Sequence, residues 1–362
     1  MGIKRYTANA DTTITNAYKE NLKTRATASN MGLADSLEVF HIYGQESSSS
    51  AENSRVLIDF PVTTTITSDR SAGTIPASGS VSWFLRVHNV VHPGTLPKNY
   101  NMTISAVSRS WDEGTGLDME GYTDSGSCNW TAAASSSGGV TAWTTAGGDY
   151  HAAATGSSAY FDDGTEDIEV NISHLVEEWV KGQSGGAKGD IYGVGIRMEN
   201  ESALSSSYTK KFSARGSQYF FSRPTLEARW DSATKDDRGN FYYSSSLAPA
   251  ADNLNTLYLY NYSRGRLVDI PGIGSGDNIN VSFYASTSDA PSGSKLLLPV
   301  GGGVVTNLDV NATGSWVSTG IYSANLAITA SATPLTTIHD VWHSGTVEYH
   351  TGSITPKSLN SS

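Results

Sequence analysis

Apolar and polar residues alternate along most of the chain, the two-residue period of strands that bury one face. In Ser80 to His88, Val81, Trp83, Leu85 and Val87 share one face, while Ser82, Phe84, Arg86 and His88 share the other. The same pattern predicts strands in Leu37 to Tyr43, Arg55 to Phe60, Tyr100 to Val107, Tyr192 to Met198 and Thr225 to Trp230. With Gly, Pro and Ser between them, these runs predict a β-sandwich over residues 1–230. One segment departs from the pattern. Ile172, Leu175, Val176 and Trp179 fall at i, i+3, i+4 and i+7, the spacing of one helix face, with Asn171 or Ser173 to cap the start and Gly182 to end it. A short helix across the sandwich is expected there.

Past Trp230 the pattern lapses. Asp231 to Asn240 is polar and charged, Ser244 to Ser246 is a serine run, and residues 231–253 are predicted to be a linker. Alternation resumes at Thr256 to Asn261, Ile279 to Ala285, Trp316 to Thr319, Ile321 to Ile328 and Ile338 to Trp342. Roughly seven short strands in about 100 residues predict an immunoglobulin-like sandwich over 254–350, without the Cys pair of antibody domains. Residues 351–362 are expected to form a polar tail. The predicted fold class is therefore all-β.

Composition narrows the function. A length of 362 residues fits two domains at roughly 150 each. The formal charge of −11, with only 16% charged residues, repels phosphate backbones, so no nucleic-acid partner is expected. Cys128 is the single cysteine, which excludes an intrachain disulfide and a cysteine zinc cage. The start, Met-Gly-Ile-Lys-Arg-Tyr, shows no apolar signal region, and no run reaches the ~18 apolar residues of a membrane span. Folding in a reducing cytosol, no signal peptide and no membrane partner are the expectations.

Candidate chemistry is sparse. His88 and His92, and His339 and His343, are spaced four apart, but in strands that separation is about 13 Å, too far for one metal. Asp112, Glu113, Asp118, Glu120 and Asp124 crowd one loop, and Asp162, Asp163, Glu166 and Asp167 crowd another. Such oxygen-rich loops can hold a structural Ca²⁺, although neither has EF-hand spacing; a solvated acidic loop is the simpler reading, and no cofactor is expected. A polysaccharide depolymerase using Glu113 and Asp118 is a further alternative. No Gly-x-Ser-x-Gly elbow and no phosphate loop occurs; Gly301 to Gly303 reads as a turn only. No catalytic residue is therefore named. The long Gly/Ser/Thr/Ala-rich stretch from Arg109 to Asp167 carries Trp111, Tyr122, Trp130, Trp143, Tyr150 and Tyr160. Trp130, Trp143 and Tyr150 are candidates to stack on sugar rings; the alternative is that they plug the sandwich end.

Segments in a fixed order carry a resemblance. Arg5 to Ala10 with Asp11-Thr12-Thr13-Ile14, Ser54 to Phe60, Ser110-Trp111-Asp112-Glu113-Gly114, Asn129-Trp130, Trp143 with Gly147-Gly148-Asp149-Tyr150, Asp167 to Gly182, and Arg223-Pro224-Thr225-Leu226-Glu227 follow one another. Together they resemble the DNRLRE-type β-sandwich, which is similar to carbohydrate-binding jelly rolls. The whole chain, with Tyr258 to Gly265, Asp340 to Gly345 and His350 to Ile354, resembles virion structural proteins of marine tailed bacteriophages. That resemblance implies a non-enzymatic particle component of the head, neck or tail. Its partners would be capsid, portal, neck or tail subunits, or copies of itself in a symmetric array. Trp111, Trp230 and Trp342 are candidate interface anchors, with core filling the simpler role of each. The alternative function is a virion-borne adhesin for host polysaccharide.

Overall fold

The computed structural model describes residues 1–44, 50–91, 97–152, 156–182, 191–245, 247–299, 308–329 and 335–357. The chain divides into two compact units, Met1–Ser232 and Ala233–Ser362. It is all-β, with 42% of residues in strands arranged as curled antiparallel sheets.

In the first unit the strands are β1 (Gly2–Thr7), β2 (Ala10–Thr15), β3 (Ser36–Ile42), β4 (Glu52–Asp59), β5 (Val81–Val87), β6 (Tyr100–Ala106), β7 (Ala132–Ser136), β8 (Gly139–Ala142), β9 (Ser157–Phe161), β10 (Ile168–Asn171), β11 (Val194–Met198), β12 (Ser207–Ser213) and β13 (Thr225–Trp230). Four form one sheet in the order β1-β13-β5-β10. Seven form the other, β12-β3-β4-β11-β6-β9 with β2 paired to β4. Inward residues of both sheets meet in one core. Tyr6, Trp83, Leu85, Val87, Leu226 and Ala228 come from the first, and Val39, Val56, Ile58, Met102, Ile104, Val194, Ile196 and Phe212 from the second. The alternation read in Ser80 to His88 thus places Val81, Trp83, Leu85 and Val87 inside.

Two helices flank this core. α1 (Thr67–Ser71), extending the turn at Val62–Ile66, gives no signal in the strand-like pattern. α2 (Ser173–Val180) is the expected helix, and it buries Leu175, Val176 and Trp179. The Ser173 hydroxyl accepts a hydrogen bond from the Trp83 backbone N–H at 2.8 Å, and Glu177 Oε1 accepts from Trp83 Nε1 at 2.8 Å. Glu177 also pairs with Arg70 of α1 at 2.7 Å, so one carboxylate ties both helices to β5.

The second unit contains β14 (Asn255–Tyr260), β15 (Tyr262–Ser263), β16 (Arg266–Leu267), β17 (Ile279–Tyr284), β18 (Leu298–Pro299), β19 (Leu308–Asp309), β20 (Ala312–Ser318), β21 (Ile321–Leu326), β22 (Ile338–Ser344) and β23 (Val347–Ile354). Its main strands form one curled six-stranded antiparallel sheet, β14-β21-β20-β17-β22-β23, accompanied by the ribbons β15–β16 and β18–β19. The unit is therefore antiparallel and all-β, but its main strands are hydrogen-bonded in a single sheet rather than in the two facing sheets that an immunoglobulin-like sandwich calls for.

Two boundaries move. The stretch expected as linker, 231–253, supplies Phe241 and Tyr243 to the second core, because its aromatic residues sit inside an otherwise polar run. The expected tail begins inside β23, where Ile354 is buried; Lys357 N–H then donates to Phe241 O at 2.7 Å. Residues 358–362 lie outside the described residues, as do His92 and Gly301 to Gly303.

Candidate functional site

The long loop region of the first unit is a third layer. On β4, Val56 and Ile58 face the sandwich core, so Leu57 faces the opposite side of the same sheet, yet it is fully buried. It is covered, with Ile14 and Val107, by Cys128, Trp130, Ala133 and Trp143, and Trp111, Tyr150 and Tyr192 pack at the margin. Polar handles fix these rings. Trp143 Nε1 donates to Asn129 O at 2.8 Å and Trp111 Nε1 to Tyr192 O at 3.0 Å. Trp130 and Trp143 are thus only 7% and 6% exposed, which removes them as sugar-stacking faces and makes them the filling of a small core. Trp111 is half-buried in the same cluster.

Carboxylates pin this layer in place. Glu113 accepts from the Asp11 backbone N–H at 2.8 Å and pairs with Arg215 at 2.5 Å. The Asp118 carboxylate accepts the N–H groups of Glu120, Gly121 and Thr123 and the Thr123 hydroxyl, donors that hold its carboxyl well below the usual range. Both residues are committed to shaping the loop. Among the described residues no group of three His, Cys, Asp or Glu side chains is placed to hold a metal ion. The second histidine pair is likewise engaged separately: His339 Nδ1 meets Ser286 O, and His343 meets Ser282 Oγ and Gly345 O.

Asp11 gives a measurable pH signature. Burial pushes its carboxyl up to about 7, the Glu113 charge adding to the shift and the hydrogen bond from Arg215 N–H opposing it. Between about pH 4 and 7 the folded chain keeps a proton that the unfolded chain has lost, so this group's contribution to stability falls as pH rises through that window. Asp11→Asn is expected to flatten that decline in urea midpoint. A slope unchanged from the parent chain would remove Asp11 as its source.

Against the third layer lies an open polar cleft of about 660 Å³, lined by Arg55, Arg109, Asp149, Tyr150, His151 and Arg197, among others. The Tyr150 ring lies over Gly195, where a Cβ would sit 2.1 Å from Tyr150 Cε1; the glycine makes room for it. The guanidinium carbons of Arg197 and Arg55 lie 4.9 and 5.8 Å from the ring centroid. Tyr150 OH donates to Gly147 O at 2.9 Å, and burial pushes its pKa up to about 12, so it stays a neutral donor. Arg55 is paired with Glu201 and Arg109 with Asp149, whereas Arg197 makes no ion pair among the described residues. The arrangement offers hydrogen-bond donors and positive charge to a bound group.

A second surface escaped the sequence reading. Tyr219, Phe220 and Phe221 sit in a short 3₁₀ turn before β13 and are 67%, 58% and 86% exposed. Phe220 and Phe221 overhang a groove of about 330 Å³ whose floor is the outer face of the four-stranded sheet and its edge: Arg5, Thr7, Arg86, His88 and Thr225. Beneath it the Glu227 carboxylate, almost fully buried, takes hydrogen bonds from Arg5, Arg86 and Arg229. Burial opposes its charge, but the bonds from Arg5 and Arg229 and their positive charge prevail and hold the carboxyl at about 2. Glu169 pairs with Arg86 and Arg229, completing a fixed lattice of charge. Runs of consecutive apolar residues without alternation were the available signal, and Tyr-Phe-Phe ahead of Ser-Arg-Pro is such a run. Of the proposed anchors, Trp230 is half-buried with its ring against Gly2, and Trp342 is completely buried in the second core, which excludes it as an interface anchor.

No protein-family model matches the chain, and a search of curated proteins finds no match. No helix among the described residues is long and apolar enough to cross a membrane.

Proposed function

We propose that the chain is a non-enzymatic structural component of a tailed phage particle and acts by docking other particle subunits. The observation that carries the docking is the exposed aromatic turn Tyr219–Phe221 beside its groove. Contiguous exposed aromatic surface is costly in water, and aromatic side chains are enriched among the residues that dominate binding energy. The rigid Arg–Glu lattice below it supplies a polar rim that needs no ordering on contact. The particle context is what the sequence resemblance adds. The net charge of −11 keeps unassembled copies apart and away from DNA.

The test is the protein content of gradient-purified particles of the encoding phage, with the parent chain and with Phe220→Ser/Phe221→Ser. Since both side chains are exposed, the double variant is expected to keep its circular dichroism and melting temperature. Its incorporation should fall about tenfold or more. Particles that lack the parent chain, or that carry the variant at the parent's level, would defeat the reading. A second reading, an adhesin for acidic host polysaccharide, is favoured by Arg197, which makes no ion pair among the described residues and lies in the hydroxyl-lined cleft. Host-glycan binding abolished by Arg197→Ala, with particle incorporation independent of the aromatic turn, would select it instead.

A further inference from the structure

The first unit buries a lysine completely. Lys210 lies on β12, the edge of the seven-stranded sheet, and none of it reaches solvent. Its Nζ donates to Asn89 Oδ1 and to Gly164 O, each at 2.8 Å, and lies 4.9 and 5.4 Å from the ring centroids of Phe161 and Phe212. No carboxylate among the described residues forms an ion pair with it, although the charges of Glu166 and Asp167 act on it from nearby.

Asn89 is held as firmly. It follows β5 of the opposite sheet and bridges to Phe212, flanked by hydrogen bonds from Ser213 N to His88 O and from Val90 N to Lys211 O. Its backbone N–H donates to Asp167 Oδ1 at 2.7 Å, while its Nδ2 has no hydrogen-bond partner among the described residues. Glu166 completes the group: Oε1 accepts two loop N–H groups, and Oε2 is buried without a partner.

We propose that Lys210 and Asn89 are joined by a covalent side-chain amide that ties the two sheets of the first unit together. The neutral amine attacks Asn89 Cγ, and the Cγ–Nδ2 bond breaks. A proton lost by Nζ passes to Nδ2, which leaves as ammonia. One amine and one carboxamide become one secondary amide and one ammonia, so neither oxidant nor cofactor enters the balance. Burial favours the uncharged nucleophile and, against the opposing charges of Glu166 and Asp167, lowers the lysine pKa to about 8, within reach of neutral pH. Burial works against an ionised Glu166, but the loop N–H groups outweigh it and hold the carboxyl below its usual range. Its free Oε2 is then a base able to carry the proton. A lysine kept only for charge would gain more from an ion pair than from two neutral acceptors.

The test is the intact mass of the denatured full-length chain, followed by tandem mass spectrometry of its digest. The parent chain should be lighter than its sequence by one ammonia and yield a branched peptide joining the segments around Asn89 and Lys210. Lys210→Arg and Asn89→Ala should have full sequence mass, and Glu166→Gln should accumulate the branched peptide more slowly. A parent chain at full sequence mass after prolonged incubation overturns the proposal. So does an ammonia deficit found only in linear peptides, which would mark a succinimide at Asn89. Because the parent's peptide map decides alone, variants that fail to fold do not protect the idea.

Discussion

Trp83→Ala is expected to destabilise the first unit by about 3–5 kcal/mol, a large share of the roughly 5–15 kcal/mol that typically holds a protein folded. Trp83 is completely buried at the centre of β5, with Tyr6 5.9 Å away ring to ring. Its removal takes out the largest apolar side chain between the two sheets and leaves a cavity that rigid strands on both sides cannot close. It also removes the Nε1 donor from Glu177, which then relies on Arg70 alone of these two partners. Equilibrium urea unfolding followed by far-UV circular dichroism reads the loss. Trp83→Phe separates the two contributions, because it keeps most of the volume while losing the donor; about 1–2 kcal/mol is expected for it. Equal losses for the two variants would mean that the hydrogen bond, rather than packing, is what Trp83 supplies.

The strand faces were legible because alternation reports burial directly: the residue that faces a core must be apolar, and its neighbour faces the other way. That rule serves Val81 to Val87 well, where one face meets the core and the other meets water or charge. It fails wherever both faces are covered. On β4, Val56, Leu57 and Ile58 are consecutive and all buried, because the loop layer lies on the far side of the sheet; the run shows that something covers Leu57 without showing what. The fate of Trp130 and Trp143 follows from the same fact. The stretch around them is rich in Ser, Thr, Gly and Ala, the composition of an exposed loop, and only the apolar face left by Leu57, Ile14 and Val107 explains why the rings turn inward. Tyr150 was recognisable as a site residue, but its arginine partners come from β4 and β11, far apart in sequence. Long-range ion pairs left no periodic trace either. Glu227 gathers arginines from β1, β5 and β13, and nothing in the spacing of those residues announces a meeting.

Asp340→Ala should cost the second unit about 3 kcal/mol or more. Asp340 lies on β22, which is buried from Ile338 to His343, and its carboxylate is entirely enclosed. One oxygen accepts from Arg238, in the stretch where a linker was expected; the other accepts from Trp342 Nε1 at 2.8 Å. Gly352 on β23 makes the space, since a Cβ there would lie 2.5 Å from Arg238 Nη1 and 3.0 Å from Asp340 Oδ1. Alanine would leave Arg238 Nη1 and the Trp342 indole N–H without their acceptor, and the cost arises from those orphaned donors rather than from the lost attraction. Hence the sharper measurement is a double-mutant cycle with Arg238→Met. Removing both partners should recover a substantial part of the loss, because methionine brings no donor to the site and fills much of the same volume. Urea midpoints of the four chains give the coupling. If the two single losses simply add in the double variant, Arg238 and Asp340 do not depend on one another, and the early segment of this unit is held by Phe241 and Tyr243 without help from the ion pair.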